Sequence, residues 1–497
     1  MPDLYSHPIM TDLSRISTDA VYRVYPFARE ILSRLQSAGF EAVLVGGVVR
    51  DGLQAQLNRN VLFPPKDVDI ATAAVPQEVR RIFHDLPIIG VGEEFGVLLV
   101  VAPDGNTYEV ASFRVESEYD GRWPAEVDLV RDLESDVMRR DLTINGLAAT
   151  ADGEVIDFVG GTKDLVARRV ATIGDPGTRF GEDYLRMMRV VRFACRIDGE
   201  IDAETAQAVR DHADAIQAIS SERIGDELLR ILETPRSARG LEWMDDLGLL
   251  VHILPELSNC HNVPQPEEYH PEGDVFVHTM EAMRVADGFI RDSIVKLAIA
   301  LHDIGKPIAL ERNEGRNMGG HCAVGARMAK DIGNRLRLNR QQVQRLDFLV
   351  RHHMRIADFP RMGRGKQIRF ISEGEVPNAV TLPSRYPLFF SLLQVMVADC
   401  ESCAHRSLGW APILEETIRV ADHIERVCDL QRARAMVSGH DLTRLGLNPG
   451  PQLGHVLNTV HDRILGGRIA TREEAIAHAK SLIDAESPLG DENNGSN

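Results

Sequence analysis

Up to about residue 160, strand-like and helix-like stretches alternate. Beyond Gly161 the apolar residues recur at helical spacing almost without a break. Any sheet must therefore come from the first block, and the remainder must pack helix on helix. Within that block Val21–Gly39 has helical spacing and ends on a glycine. "FEAVLVGG" (Phe40–Gly47) is a short apolar strand entering a Gly-Gly turn, and "VVRDGLQAQL" continues as a helix. "DVDIAT" reads as the next strand and "VPQEVRRIFHDL" as a helix opened by proline. "FGVLLVVAPDGNTYEVASFR" reads as a hairpin closed by Asp104-Gly105. Breaks in the helical remainder are expected at "TIGDPGTRFG" (172–181), "SNCHNVPQPEEYHPEG" (258–273) and "FPRMGRGKQ" (359–367). The tail "SPLGDENNGSN" is small, polar and acidic, and is expected to be disordered.

A chain of 497 residues is too long for one core, so roughly two to four domains are expected. No uninterrupted apolar run reaches membrane-spanning length, and "MPDLYSHPIMTDLSR" has no signal-peptide pattern. Six cysteines scattered over this length do not form a disulfide framework, which points to a reducing cytoplasm and no membrane. Cys400 and Cys403 read as packed thiols rather than a zinc site. Lysine plus arginine number 56 against 74 acidic residues, a net charge of −18. Taken whole, that argues against a nucleic-acid binder, but binding depends on local fields.

In "KDVDIAT" (Lys66–Thr72) two aspartates one residue apart project from one side of a strand. Like charges that close resist joint ionisation unless a cation sits between them. A lone D-x-D is usually a solvated loop, so its neighbours decide. "VGGVVRD" (45–51) follows a strand and opens a helix. Its glycines let the backbone pass close to a ligand, the helix-start N–H groups favour anions, and Arg50 can grip phosphate. Magnesium takes one or two carboxylates plus substrate phosphates, so the two stretches together meet the needs of nucleotidyl transfer. In "MRRDLTINGLA" (138–148), Arg139 and Arg140 add cation density. Asp141 and Asn145 could hydrogen-bond a ribose, or Asp141 could simply cap a helix. In "FGEDYLRMMRVVRFA" (180–194), Arg186, Arg189 and Arg192 share one side of a helix, with Asp183 a turn earlier. Met187, Met188, Val190, Val191 and Phe193 fill the rest, so this helix is expected to be buried over most of its girth and its arginines to line a cleft.

Taken in order, these stretches resemble the motifs of the tRNA nucleotidyltransferase and bacterial poly(A) polymerase family, the class II branch of the polymerase-beta-like nucleotidyltransferases. The resemblance runs from about Phe40 to Leu232 and also takes in "YEVASFR", "DGRWPAEV", "IDFVGGTKDL" and "SERIGDELLRIL". It departs at Asn145-Gly146, usually Asn-Ala, and at "DFVGG" (157–161), usually Asp-Pro-Phe-Gly-Gly. The resemblance implies that Asp67 and Asp69 hold catalytic Mg2+, with Glu109 a candidate third carboxylate. Gly47, Arg50 and Arg140 would contact the triphosphate of ATP or CTP, and Arg189 and Arg192 would steer it. Asp183 and Arg186 would read the base. Cytosine and adenine each pair an exocyclic amino donor with a ring-nitrogen acceptor, which a carboxylate and a guanidinium match. The implied reaction adds or repairs the 3′-terminal CCA of tRNA and releases pyrophosphate. Poly(A) synthesis, A-only or CC-only addition are the neighbouring alternatives. "VGEEFGVLLV" lacks the basic character of the poly(A) branch and there is no basic C-terminal extension, both of which favour tRNA.

A second set lies in helical sequence: "VFVHTM", "LHDIGK", "GGHCAVG", "VRHHMR" and "VADCES" supply His278, His302, Asp303, His321, His352, His353 and Asp399. These resemble the HD-domain metal phosphohydrolases. His278, His302, Asp303 and Asp399 would hold a second divalent metal (Ni, Mn, Co or Zn) for phosphodiesterase or phosphatase chemistry. The rival readings are a relic RNA-binding scaffold, or an HD enzyme with a nucleotide-binding front half. Arginines from Arg335 to Arg369 could grip RNA or merely form a solvated face. The fold expected is α+β: a polymerase-beta-like nucleotidyltransferase head (mixed sheet with helices) over 21–175, a helical neck over 176–240, an HD domain over 241–405 and a helical tRNA-binding segment over 406–485.

Overall fold

A computed structural model describes residues 13–58, 67–90, 92–120, 123–268, 270–377, 379–403, 409–426 and 429–486, the side chains of 116–120 and 123–126 aside. The acidic tail and residues 121–122 of the "DGRWPAEV" loop lie outside the described residues. The chain divides between Ser258 and Asn259 into two compact units. Helix Ser237–Asp246 packs on helices Leu185–Ile197 and Ser221–Leu232 within the first unit.

The first unit is built on strands β1 (Ala42–Val45), β2 (Asp69–Thr72), β3 (Ile88–Ile89), β4 (Val97–Val101), β5 (Thr107–Ser112), β6 (Arg114–Asp120), β7 (Trp123–Leu129), β8 (Ala148–Ala149) and β9 (Val155–Ile156). Seven of them form one mixed sheet in the order β3-β4-β5-β2-β1-β8-β9, and β6 and β7 make a separate antiparallel ribbon. Only β2 and β5 run parallel in the large sheet; its other pairs are antiparallel. β1 is buried along its whole length and β2 everywhere but at Asp69. On one face Val43, Val45, Ala71, Ala73 and Phe113 pack against Leu133 and Val137 of helix Leu133–Met138. Strand alternation sends Leu44 and Ile70 to the opposite face, and helix Phe27–Ser37, which packs against β1 and β2, buries Ile31, Leu32 and Leu35.

Beyond the sheet the first neck helix starts at Pro176. The loop anticipated over 172–181 is already helical from Pro176, because Asp175 accepts from Thr178 N at 2.7 Å and caps the helix Pro176–Glu182. In helix Leu185–Ile197, Met187, Met188, Val190 and Val191 are fully buried, as its composition predicted.

The second unit is helical. Helices Val275–Asp287, Ser293–Leu301, His321–Arg335, Arg340–His352 and Pro387–Ser402 pack around one another. Helix Arg364–Ile371 carries helix Pro451–Leu465, which in turn packs on the last helix, Arg472–Glu486. Gly365 makes that approach possible: a Cβ there would stand 2.3 Å from Asp462 Cα. Many of the arginines of this region are tied to carboxylates, among them Arg345 to Asp292 (2.6 Å), Arg364 to Glu416 (2.9 Å) and Arg369 to Asp462 (2.8 Å). Among the described residues, no helix is long and apolar enough to cross a membrane.

Candidate active sites

One end of the large sheet gathers the acidic groups. β1 ends at Val45, and Gly46, at φ +69°, turns the chain straight into helix Gly47–Leu57. β2 begins at that same end, because it pairs antiparallel with β1 in the register Val45 to Asp69. β5 runs parallel to β2 and sets Glu109 opposite Asp69. A Cβ on Gly46 would lie 3.8 Å from Asp69 Oδ2, and one on Gly47 3.7 Å from Asp67 Oδ1. Both aspartates therefore face the Gly-Gly turn. Burial, Glu109 and Asp67 push the Asp69 carboxyl up to about 7, against the pull of Arg140. Burial likewise raises Glu109, against Arg114. This all-oxygen cluster, short of positive charge, fits a magnesium ion.

These groups open into a cleft of about 1100 Å³ whose wall is rich in arginine. Arg50, 3% exposed, donates through Nη1 to Asn145 Oδ1 at 2.6 Å. Asn145 Nδ2 donates to Asp141 Oδ1 at 3.2 Å, and Asp141 Oδ2 accepts from Arg189 Nε at 2.7 Å. Burial would raise the Asp141 carboxyl, but the Arg189 guanidinium holds it well below the usual carboxylate range. Asp141 and Asn145, read as ribose contacts, are thus links in a buried chain that fixes Arg50 and Arg189. Arg192 pairs with buried Glu227. The Phe193 ring sits under three guanidinium groups, Arg192 at 4.2 Å, Arg50 at 4.7 Å and Arg189 at 5.5 Å. Asp136, buried, holds Arg139 at 2.7 Å and Arg140 at 2.9 Å.

Asp183 and Arg186 line the same cleft. Asp183 breaks the backbone between two helices. Its Oδ1 accepts from Leu185 N at 3.1 Å and its Oδ2 from Arg223 at 2.5 Å. Arg186 is paired with Glu182 and donates to Arg179 O at 3.2 Å. Each is held in place by its own neighbours. The two departures from the family pattern meet in space: a Cβ on Gly146 would stand 2.9 Å from Val159 Cγ2.

In the second unit four histidines are pinned through Nδ1. His278 meets Glu272 Oε1 at 2.8 Å, while His302, His321 and His353 meet the carbonyls of Ile299, Met318 and Val350 at 2.7, 3.0 and 2.8 Å. With Nδ1 so held, Nε2 is the ring atom each histidine offers to a metal. Those Nε2 atoms converge on two carboxylates. His278 lies 3.1 Å from Asp399 Oδ1 and His302 3.1 Å from Asp303 Oδ2. His321 and His353 lie 3.4 and 3.7 Å from Asp303 Oδ1. Among the described residues, His302 Nε2 is buried without a hydrogen-bond partner. Burial would lower His278, but its hydrogen bond to Asp399 and the Asp303 charge lift it to about 10, so the pocket favours positive charge. Imidazole and carboxylate donors in this arrangement fit a divalent transition metal. His353 is therefore inside the centre. His352 is outside it, its ring packed on Phe348 and Phe370.

The sequence marks Phe193 only as packing and does not single out Asp136, Glu182, Arg223 or Glu227. The available signal was charge at apolar phase: Glu227 lies among Ile224, Leu228 and Ile231 on a helix, all of them buried.

Comparison with known proteins agrees with this layout. Residues 42–171 match the family described as "Poly A polymerase head domain", residues 200–260 "Probable RNA and SrmB- binding site of polymerase A", and residues 275–385 "HD domain". A CCA-adding enzyme of Geobacillus sp. (strain WCH70) is 42% identical over 233 residues, covering 47% of this chain and 55% of that protein. One from Pediococcus pentosaceus is 44% identical over 218 residues, 44% of this chain and 52% of that protein. The chain spans about half the length of these curated relatives. In fold it is similar to the Bacillus stearothermophilus CCA-adding enzyme crystallised with CTP, with TM-score 0.65, 24% identity, and coverage of 93% of this chain and 98% of that one. It is also similar to the Thermotoga maritima CCA-adding enzyme complexed with tRNA_CCA, with TM-score 0.55, 17% identity, and coverage of 94% and 98%. Three successive stretches of the chain thus match, in order, a poly A polymerase head domain, an RNA-binding segment of such polymerases and an HD domain.

Proposed function

We propose that this protein is a template-independent RNA nucleotidyltransferase that builds or repairs the 3′ CCA end of tRNA from CTP and ATP. One observation carries the reading: Asp69, Glu109 and the Gly46-Gly47 turn open into the same cleft as Asp183 and Arg186. Asp67 and Asp69 would hold Mg2+, which neutralises phosphate charge and activates the attacking hydroxyl. The Gly-Gly turn and the start of helix Gly47–Leu57 receive the triphosphate, with Arg50 and Arg140 alongside. Asp183 accepts from the exocyclic amino group of C or A, and Arg186 donates to the ring nitrogen. Uracil or guanine would set a carbonyl oxygen against the carboxylate. The RNA 3′-hydroxyl then attacks the α-phosphate and pyrophosphate leaves.

The test is a tRNA lacking its 3′ end, incubated with Mg2+ and single labelled nucleotides. CCA addition stops at a defined product, whereas poly(A) synthesis makes a ladder, and a ladder would refute the reading. Asp183→Ala and Arg186→Ala are expected to relax selection against UTP and GTP by about tenfold or more while leaving tRNA binding unchanged. Wild-type nucleotide preference in either variant would remove the base-reading assignment.

The convergence of four Nε2 atoms on Asp303 and Asp399 favours a second activity, metal-dependent phosphohydrolysis at the HD centre with Ni2+, Mn2+, Co2+ or Zn2+. His302→Ala is expected to abolish hydrolysis of model phosphodiesters to alcohol and phosphomonoester, and to spare nucleotide addition. Equal loss of both in a folded variant would contradict two independent centres. The proposed setting is the cytoplasm. The proposed division of labour puts addition in 21–175, base reading in 176–240, hydrolysis in 241–405 and tRNA contact in 406–485.

A further inference from the structure

Beside the HD centre lies a group of side chains that neither activity uses. His278 has two working edges. Its Nε2 faces Asp399, while its Nδ1 points the other way, to Glu272 Oε1 at 2.8 Å. Glu272 Oε1 also meets His270 Nδ1 at 2.9 Å, and Cys403 Sγ stands 3.9 Å from that same nitrogen. Ligand atoms of His270, Glu272, His278 and Cys403 all lie within 4.8 Å of one another. The Glu272 side chain is only 8% exposed, yet among the described residues its Oε2 has no hydrogen-bond partner. A buried carboxylate oxygen without a donor is costly unless something positive meets it. His270 and Cys403 also line the cavity of about 820 Å³ in front of the HD centre, so a cation has a way in.

We propose that His270, Glu272 and Cys403 form an accessory metal site, distinct from the HD centre and separated from it by the His278 ring. Imidazole, carboxylate and thiolate together select a thiophilic divalent cation of the zinc class over Mg2+ or Ca2+. Three protein ligands leave a fourth position facing the cavity. Binding releases the Cys403 thiol proton to solvent, and the ion ties the loop bearing His270 to the end of helix Pro387–Ser402. The site does not depend on nucleotide addition or on HD turnover. It also revises the sequence-based reading of Cys403 as a packed thiol.

The test uses full-length protein stripped with chelator and then given Co2+ alone. Wild type and His302→Ala are expected to develop sulfur-to-cobalt charge-transfer absorption in the near ultraviolet. Cys403→Ser loses it, and Cys322→Ser, which removes the other thiol near the histidines, retains it. Separately, Zn2+ is expected to slow alkylation of Cys403 by iodoacetamide by about tenfold or more. His270→Ala, which keeps the thiol, loses that protection and serves if Cys403→Ser does not fold. A band that survives in Cys403→Ser, a band lost in His302→Ala, or alkylation indifferent to Zn2+ would each overturn the proposal.

Discussion

Asp69→Asn is expected to cut nucleotide addition by about a thousandfold or more, and to make the metal-free protein harder to unfold. The two effects share one cause. Asp69 stands among Glu109 and Asp67 in a partly buried corner that raises its carboxyl to about 7. Without a cation its charge is a liability. Asparagine removes that charge at nearly constant volume, and about 1 kcal/mol of stability should follow, discounted because the site opens to solvent. Magnesium should reverse the ranking by stabilising wild type and leaving the variant unmoved. Thermal melts with chelator and with Mg2+, beside tRNA extension, check both halves. A wild type whose melting ignores Mg2+, or an Asp69→Asn variant that still extends tRNA, would remove the aspartate from the metal's keeping.

The second large effect is structural. Glu227→Gln leaves the Arg192 guanidinium buried with its charge partner gone, at 8% exposure for the arginine and 4% for the glutamate. Breaking one side of such a pair costs about 3 kcal/mol or more. For a unit of this size that lowers the melting temperature by roughly 10 °C. Arg192→Met with Glu227→Leu should recover much of the loss, since a buried pair replaced by packed apolar side chains is often neutral. If the single variant melts like wild type, Arg192 is solvated and free for the triphosphate, as its place in the sequence first suggested.

How far the sequence could be read follows from what kind of information each feature carries. The strand "DVDIAT" and the buried helix around Arg189 announce themselves through local periodicity, and both appear where expected. Glu109 was a weak suspicion because its partnership with Asp69 is a register between strands far apart in the chain. No local pattern encodes that. The hydrogen bonds of Asp141 and Asn145 are hidden for the same reason: their partners, Arg189 and Arg50, come from other elements. The loop expected over 172–181 was a misjudged boundary, because Asp175-Pro176 opens a helix as readily as it ends one. In the second unit, composition identified the histidines but could not separate His352 from His353. Adjacent residues on a helix point about 100° apart, and only packing decides which one faces inward.

The way β2 is seated carries one more consequence. Its first residue is ionisable and each of the next three is buried. A shift of one residue against β1 or β5 would turn that carboxylate onto the opposite face, toward the buried apolar side chains of Ile31 and Leu35. The group proposed for chemistry thus also works as a key for assembly, admitting one alignment of the sheet and penalising its neighbours.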